Sequence, residues 1–364
     1  MIFKFSSECV GCGHPDKVCD AIADAILDEA LKQDPHSFMA VEATIKDNFV
    51  LIYGEANSKA TLDYASIAKD TLKKAGYDQM FDIMVKVGQQ SCQINHAVTN
   101  GKIAAGDQGM MFGYACNETD AYLPYGYLLA CQLAEKCNEL AFGKYKNVLQ
   151  TDCKTQVTVR YEDSRLIDID TILVSVASYE GIEQAAIDAI VKNELILPLV
   201  SDHSCFNENT KLIINPSGAF TIAGPFGDSG TTGRKIVVDT YGGYAPIGGG
   251  CFSSKDPSKV DRSAAYYSRF VAKNIVANGL ADKALIQVAY GIGLSEPISL
   301  CIDCYGSNKI EMEAIYQWVA NHFDFSVGNI IEQLQLRLPI YSQCVNYGAF
   351  THENMAWEKV ILIK

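Results

Sequence analysis

Three times along the chain, a helical pattern is followed by two strand-like runs and then by a second helical pattern. The first helices fall at about 15–32, 126–142 and 262–279. The strand pairs fall at about 38–55, 155–176 and 284–305, and the closing helices at about 61–75, 180–196 and 311–323. A Gly-Asp-x-Gly stretch at Gly106–Gly109 returns at Gly227–Gly230, 121 residues later, about one third of the 364-residue chain. The strands are read from alternation and β-branched content. Gln156–Tyr161, the turn Glu162-Asp163-Ser164 and Leu166–Val174 form the clearest hairpin. Phe38–Ile45, Lys46-Asp47-Asn48 and Phe49–Tyr53 form the second. The pattern predicts an α/β chain of the α+β type. It would have three similar helix–hairpin–helix modules, related by pseudo-three-fold symmetry, whose mixed or antiparallel sheets are covered by helices. The modules divide near 1–100, 101–222 and 223–364 and interleave. No G-x-G-x-x-G follows a strand, which argues against a doubly wound dinucleotide fold.

Composition narrows the function. At 48% apolar the chain can bury a large core, and its net charge of −13 argues against a nucleic-acid binder. Local clusters of Lys and Arg are informative against that acidic background. No run approaches the ~18 apolar residues of a transmembrane helix. The opening Met1–Ser6 lacks a signal-like apolar stretch. A cytoplasmic protein without membrane contact is expected. Thirteen cysteines include two C-x-x-C pairs, Cys9/Cys12 and Cys301/Cys304. The second lies in a strand-like run, where residues three apart face opposite sides, which is poor geometry for zinc. Reduced thiols serving as small hydrophobes is the reading taken.

Three polar stretches carry the chemistry. In Gly13-His14-Pro15-Asp16-Lys17, Pro15 suits the first helical position and His14 the N-cap. The helix N-terminus would welcome a phosphate. Asp16, Asp20, Asp24 and Asp28 share one helix face. Asp16 is read as a metal ligand, and Asp20, Asp24 and Asp28 as a solvated stripe. Gly227–Lys235 places three glycines before Arg234 and Lys235. It is not a Walker A loop, yet its amides and cations suit an anion; a surface turn is the alternative. Lys255-x-x-x-Lys259-x-Asp261 precedes a helix starting near Ser263. Two lysines and an Asp suit a magnesium–polyphosphate, with a solvated charged helix start as the alternative. The Gln- and Asn-rich Gly88–Gly109 is a candidate lid.

With these residues in place, the chain resembles the S-adenosylmethionine synthetase (methionine adenosyltransferase) family along essentially its whole length. The matches are GHPDK at 13–17, GE at 54–55, GDQGMMFGYACNETD at 106–120, INPSGAFTIAGPFGDSGTTGRKIVVDTYGG at 214–243 and FSSKDPSKVDRSAAY at 252–266. The resemblance implies a three-fold pseudo-repeat of α/β modules. It implies attack of the methionine sulfur on the 5′ carbon of ATP, with tripolyphosphate leaving and then being hydrolysed to pyrophosphate and phosphate. Carried over by resemblance, His14 bonds the leaving oxygen, and Asp16 and Asp261 bind magnesium, two ions per site. Lys154, Arg234, Lys235 and Lys255 hold the triphosphate. Phe220 stacks on adenine, and Asp152 and the backbone near Cys251 also touch ATP. Glu55, Gln90, Asp107, Asp228 and Lys259 line the methionine or adenosine region, Lys259 also counting among the catalytic cations. Glu42 sits at a potassium site. Sites converge from two subunits of a homo-oligomer, a dimer of dimers. The chain departs from the family pattern at Cys9 and Cys12, where Ser and Glu are expected, at Ala219, where an Arg often stands, and at His96 in a slightly shorter lid. Three other readings remain: another ATP-dependent phosphotransferase, a zinc-bound structural protein, and a silent regulatory homologue.

Overall fold

The computed structural model describes residues 1–89 and 103–362. Its elements begin with β1 (Ile2–Val10), α1 (Pro15–Gln33), β2 (Phe38–Lys46), β3 (Phe49–Asn57), α2 (Tyr64–Lys74) and β4 (Asp82–Gly88). The middle of the chain forms β5 (Gly109–Cys116), α3 (Tyr125–Phe142), β6 (Leu149–Glu162), β7 (Arg165–Ser178), α4 (Gln184–Ile190) and β8 (Lys211–Ile214). The remainder forms β9 (Gly230–Thr231), α5 (Ile236–Asp239), α6 (Val260–Ala277), β10 (Lys283–Tyr290), β11 (Ser299–Asp303), α7 (Met312–His322) and α8 (Val327–Gln333). The sequence-predicted hairpins are β2–β3, β6–β7 and β10–β11, and each is antiparallel. Two helix boundaries differ from the sequence reading. α4 continues through a π-turn at Val191–Ile196 to Val200. α6 begins at Val260 rather than near Ser263, because Lys259 is already the N-cap.

Each hairpin belongs to its own sheet, and each sheet borrows a strand. The orders are β1-β6-β7-β8, β11-β10-β5 and β4-β3-β2-β9. β1 from the first third pairs antiparallel with β6. β5 from the second third pairs antiparallel with β10, and β9 from the last third pairs antiparallel with β2. The exchange runs around the molecule in one direction. Both Gly-Asp-x-Gly repeats lead straight into an exchanged strand, β5 and β9. In both, the Asp carboxylate accepts the next backbone N–H: Asp107 from Gln108 at 2.8 Å and Asp228 from Ser229 at 2.7 Å.

Burial follows the strand period. On β2, Met39, Val41, Ala43 and Ile45 are buried, and Phe38, Ala40, Glu42 and Thr44 occupy the other, half-buried face. α1 packs on β2 and β9, α3 on β6 and β1, and α6 on β5 and β10. Among the described residues, no helix is long and apolar enough to cross a membrane. Cys301, on β11, is exposed and Cys304, just past its end, is buried.

One expectation is overturned here. Asp20, Asp24 and Asp28 are not a solvated stripe: they are 0%, 0% and 6% exposed. A helix enclosed on nearly all sides must satisfy its carboxylates internally, since an unpaired buried charge is costly. Each Asp meets donors from the last third of the chain. Asp20 accepts Gly233 N–H at 2.9 Å and lies 3.0 Å from the Lys17 ammonium. Asp24 pairs with both terminal nitrogens of Arg262 at 2.8 and 2.7 Å. Asp28 accepts the backbone N–H groups of Tyr341 and Ser342 at 3.0 and 2.8 Å.

Candidate active site

The Gly11–Asp16 turn is built by its neighbours before any side chain acts. Gly11 N–H donates to Cys153 O at 2.9 Å, Cys12 N–H to Asn138 Oδ1 at 2.8 Å and the Tyr77 hydroxyl to Gly13 O at 2.5 Å. The turn delivers His14 as N-cap and Pro15 to the first turn of α1. His14 is 3% exposed, and its Nδ1 accepts Asp16 N–H at 3.2 Å. That bond assigns the ring proton to Nε2. Burial, then the Lys235 charge, lowers the imidazole to about 3, so the ring is neutral near pH 7.

Asp16 is the hub of a first charge group. It accepts Thr231 N–H at 3.0 Å, takes Lys235 Nζ at 2.6 Å and lies 3.5 Å from Arg234 Nη1. Burial alone would raise this carboxyl. The Lys235 and Thr231 hydrogen bonds outweigh it and hold Asp16 below its usual range. The exchanged strand β9 makes this convergence, since it lays Gly230 against Pro15: a Cβ at Gly230 would stand 2.2 Å from Pro15 O. Lys154, exposed on β6, and Asp228 both act electrostatically on His14. Asp152 accepts Gly224 N–H at 2.7 Å, and burial raises its carboxyl. Phe220 is half-buried nearby in the chain, its carbonyl accepting Ser178 N–H at 3.0 Å.

A second charge group gathers at the 251–261 turn. Lys255 Nζ pairs with Asp261, and Lys259 Nζ with Asp256 at 2.6 Å. Asp256 is 1% exposed and also accepts Met39 N–H at 2.8 Å, which ties the turn to β2. Two glycines leave room beside Asp261. A Cβ at Gly250 would stand 2.2 Å from its carboxyl carbon, and one at Gly109 3.2 Å from Oδ1. The loop holding Asp107 is fixed here through Gly106 N–H to Ser258 O at 3.0 Å.

Both groups hang on β2, the first at Thr44 and the second at the Ala40–Lys255 bridge. Four residues of strand separate those points, about 13 Å. Cys251 links them: a Cβ at Gly233 would meet its Sγ at 2.8 Å. Burial raises this thiol, with Lys255, Asp20, Glu42 and Asp261 acting on it. Glu42 accepts the Tyr53 hydroxyl at 3.2 Å on the half-buried face of β2. Glu55 is exposed on β3, opposite Ala40. Gln90, and most of the Gly88–Gly109 segment, lie outside the described residues.

Among the described residues, no group of three or more His, Cys, Asp or Glu could hold a metal by itself. Single carboxylates with adjacent cations remain. That donor set suits magnesium, which is commonly held by one or two carboxylates together with substrate phosphates. Asp256 and Arg262, which organise the second group, had no functional reading from sequence. Both lie inside the 252–266 stretch, and their spacing to Lys259 and Asp261 was the available signal.

Comparison with known proteins agrees along the whole chain. Family models described as the N-terminal, central and C-terminal domains of S-adenosylmethionine synthetase match residues 2–101, 102–220 and 222–359. An S-adenosylmethionine synthase of Brachyspira hyodysenteriae is 44% identical over 378 residues, covering 98% of this chain and 96% of that one. One from Mycoplasma capricolum is 45% identical over 366 residues, covering 98% and 94%. One from Staphylococcus epidermidis is 44% identical over 380 residues, covering 98% and 95%.

Proposed function

The chain belongs to the S-adenosylmethionine synthetase family, and from that premise we propose how its own residues carry out the family's reaction. The enzyme is a transferase that makes S-adenosylmethionine from ATP and L-methionine. The observation that carries the assignment of residues is the convergence of His14, Asp16, Arg234 and Lys235 at one helix N-terminus, from the first and last thirds of the chain.

The methionine sulfur attacks the 5′ carbon of ATP, and the bond from that carbon to the triphosphate oxygen breaks. A neutral thioether has no proton to lose, so no general base is needed. Work is needed on the leaving side, where negative charge develops. His14, neutral with its proton on Nε2, donates to the departing oxygen. Lys154, Arg234, Lys235 and Lys255 offset the charge of the triphosphate. Hydrolysis of the tripolyphosphate to pyrophosphate and phosphate in the same cationic site follows.

Two magnesium ions fit as companions of Asp16 and Asp261. Each carboxylate has hard oxygen donors, and each pairs with cations that suit phosphate, Arg234 and Lys235 for Asp16 and Lys255 for Asp261. Magnesium, when bound, adds positive charge along the triphosphate. Glu42 holds potassium, with the backbone near Cys251 close by. Phe220 stacks on adenine, with Asp152 nearby. Glu55, Gln90, Asp107, Asp228 and Lys259 take the methionine and adenosine side.

Completion of the site takes a second copy of the chain. The two charge groups attach to β2 at points about 13 Å apart, and the face of β2–β3–β4 bearing Glu42, Glu55 and Met84 is half-buried to exposed. A homodimer, doubled into a dimer of dimers, follows the family arrangement. Module boundaries near 100 and 222 belong to the same proposal, as does a cytoplasmic setting.

Product analysis tests the reading. Purified chain with ATP, methionine, magnesium and potassium should yield S-adenosylmethionine with matching pyrophosphate and phosphate. ADP without the sulfonium product would instead make the chain a phosphotransferase. Lys255→Met should lower turnover on the order of 10²–10³-fold with the fold intact. Near-normal turnover would remove that lysine from the mechanism.

A further inference from the structure

The buried acids of α1 do more than neutralise cations, and Asp24 carries the most. Its carboxylate is 0% exposed and accepts both terminal nitrogens of Arg262. It also accepts Ser254 N–H at 3.2 Å and the Ser253 hydroxyl at 3.1 Å. Arg262 Nη1 reaches on to Lys255 O at 3.3 Å. The backbone is therefore held at both ends of the Ser254–Lys255 pair: the Ser254 N–H by Asp24, and the carbonyl of Lys255 by Arg262. Ser254 itself has φ +80°, a left-handed conformation that a non-glycine adopts only when its surroundings impose it. Arg262 is 2% exposed, lies 4.1 Å from the centroid of the Tyr341 ring and donates through Nε to the Tyr266 hydroxyl at 3.1 Å. The clamp is rigid from behind.

A buried ion pair gives little net stability over apolar residues of similar volume. Here its donors and acceptors are spent on a strained turn whose next residue is a site cation. We propose that the Asp24–Arg262 pair is a positioning device for Lys255: it fixes the Ser253–Lys255 turn so that the ammonium meets the triphosphate. The proposal rests on the reading of Lys255 given above. Lys255 is the group that touches substrate; Asp24 and Arg262 act through it.

The test is a double-mutant cycle on the full-length enzyme. Asp24→Leu with Arg262→Met replaces the pair by apolar side chains and avoids a lone buried charge. Arg262→Lys keeps the charge but loses the fork that reaches both Asp24 and Lys255 O. Each is combined with Lys255→Met, and thermal midpoint, kcat and KM for ATP are measured. A displaced cation should cost on the order of 10²-fold in kcat. The loss should appear in folded protein, and adding Lys255→Met should lower kcat little further. Wild-type kcat in the folded apolar-pair variant overturns the proposal. So do losses that multiply with that of Lys255→Met, which would mark a separate, structural effect. If the apolar pair does not fold, Arg262→Lys alone decides by the same two criteria. If Lys255→Met by itself leaves kcat unchanged, the reading of Lys255 falls first and the clamp loses its object. That result is distinguishable from a clamp that fails while Lys255 matters.

Discussion

His14 shows how a residue's chemistry is set by its cap. Accepting Asp16 N–H at Nδ1 leaves Nε2 as the donor, and burial beside Lys235 keeps the ring neutral down to about pH 3. Activity between pH 6 and 8 should therefore carry no His14 titration. His14→Asn should lower kcat on the order of 10²-fold and leave the shape of the pH profile unchanged. An inflection near pH 6.5 that disappears with the substitution would contradict this. Phe220→Ala should raise KM for ATP more than KM for methionine, and equal effects would count against stacking on adenine. At this scale the sequence was informative about cations and glycines, since motif spacing alone singled out Arg234, Lys235, Lys255 and Asp261. It misled on Asp20, Asp24 and Asp28. An acid on a helix face is ordinarily solvated, and, Lys17 beside Asp20 apart, the donors that bury these three lie more than 200 residues away in the chain. Local pattern holds no trace of them.

α1 is the element on which the molecule turns, and its buried charges give it a pH signature. Lys17 lies between Asp20 and Asp239, at 3.0 and 2.7 Å, so two carboxylates share one cation. Burial raises Asp20 to about 7, against about 3.9 for a free aspartate. Between those values the folded protein holds a proton that the unfolded chain has released, so stability falls as pH rises through the window. Asp20→Asn should flatten that fall, narrowing the drop in thermal midpoint between about pH 4 and about pH 8 relative to the parent. An unchanged or steeper drop would show that Asp20 titrates normally. The hairpins and the long helices were legible, because alternation and 3.6-residue periodicity are local. Strand exchange was not. β9 is two residues long and offers no pattern, and its pairing with β2 is fixed by Gly230 meeting the start of α1. The repeated Gly-Asp-x-Gly was a local mark of where two of the three exchanged strands, β5 and β9, begin.

Over the whole molecule, exchange of strands welds the three sheets into one body and brings distant motifs onto β2. Two charge groups result, one around Asp16 and one around Lys255 and Asp261, each balanced by its own ion pairs. In the proposed enzyme one triphosphate lies between the first group of one copy and the second group of another. Subunit complementation tests this directly. His14→Ala and Lys255→Met are each purified and each has little activity; they are then co-expressed and the mixed oligomer is isolated by two different tags. If the groups act across the interface, one site in a mixed pair carries both substitutions and the other carries neither. S-adenosylmethionine synthesis should then return to a sizeable fraction of the parent rate, with parent-like KM for ATP. Mixed oligomers no more active than either variant alone would contradict the account, because each site would then draw both groups from a single chain.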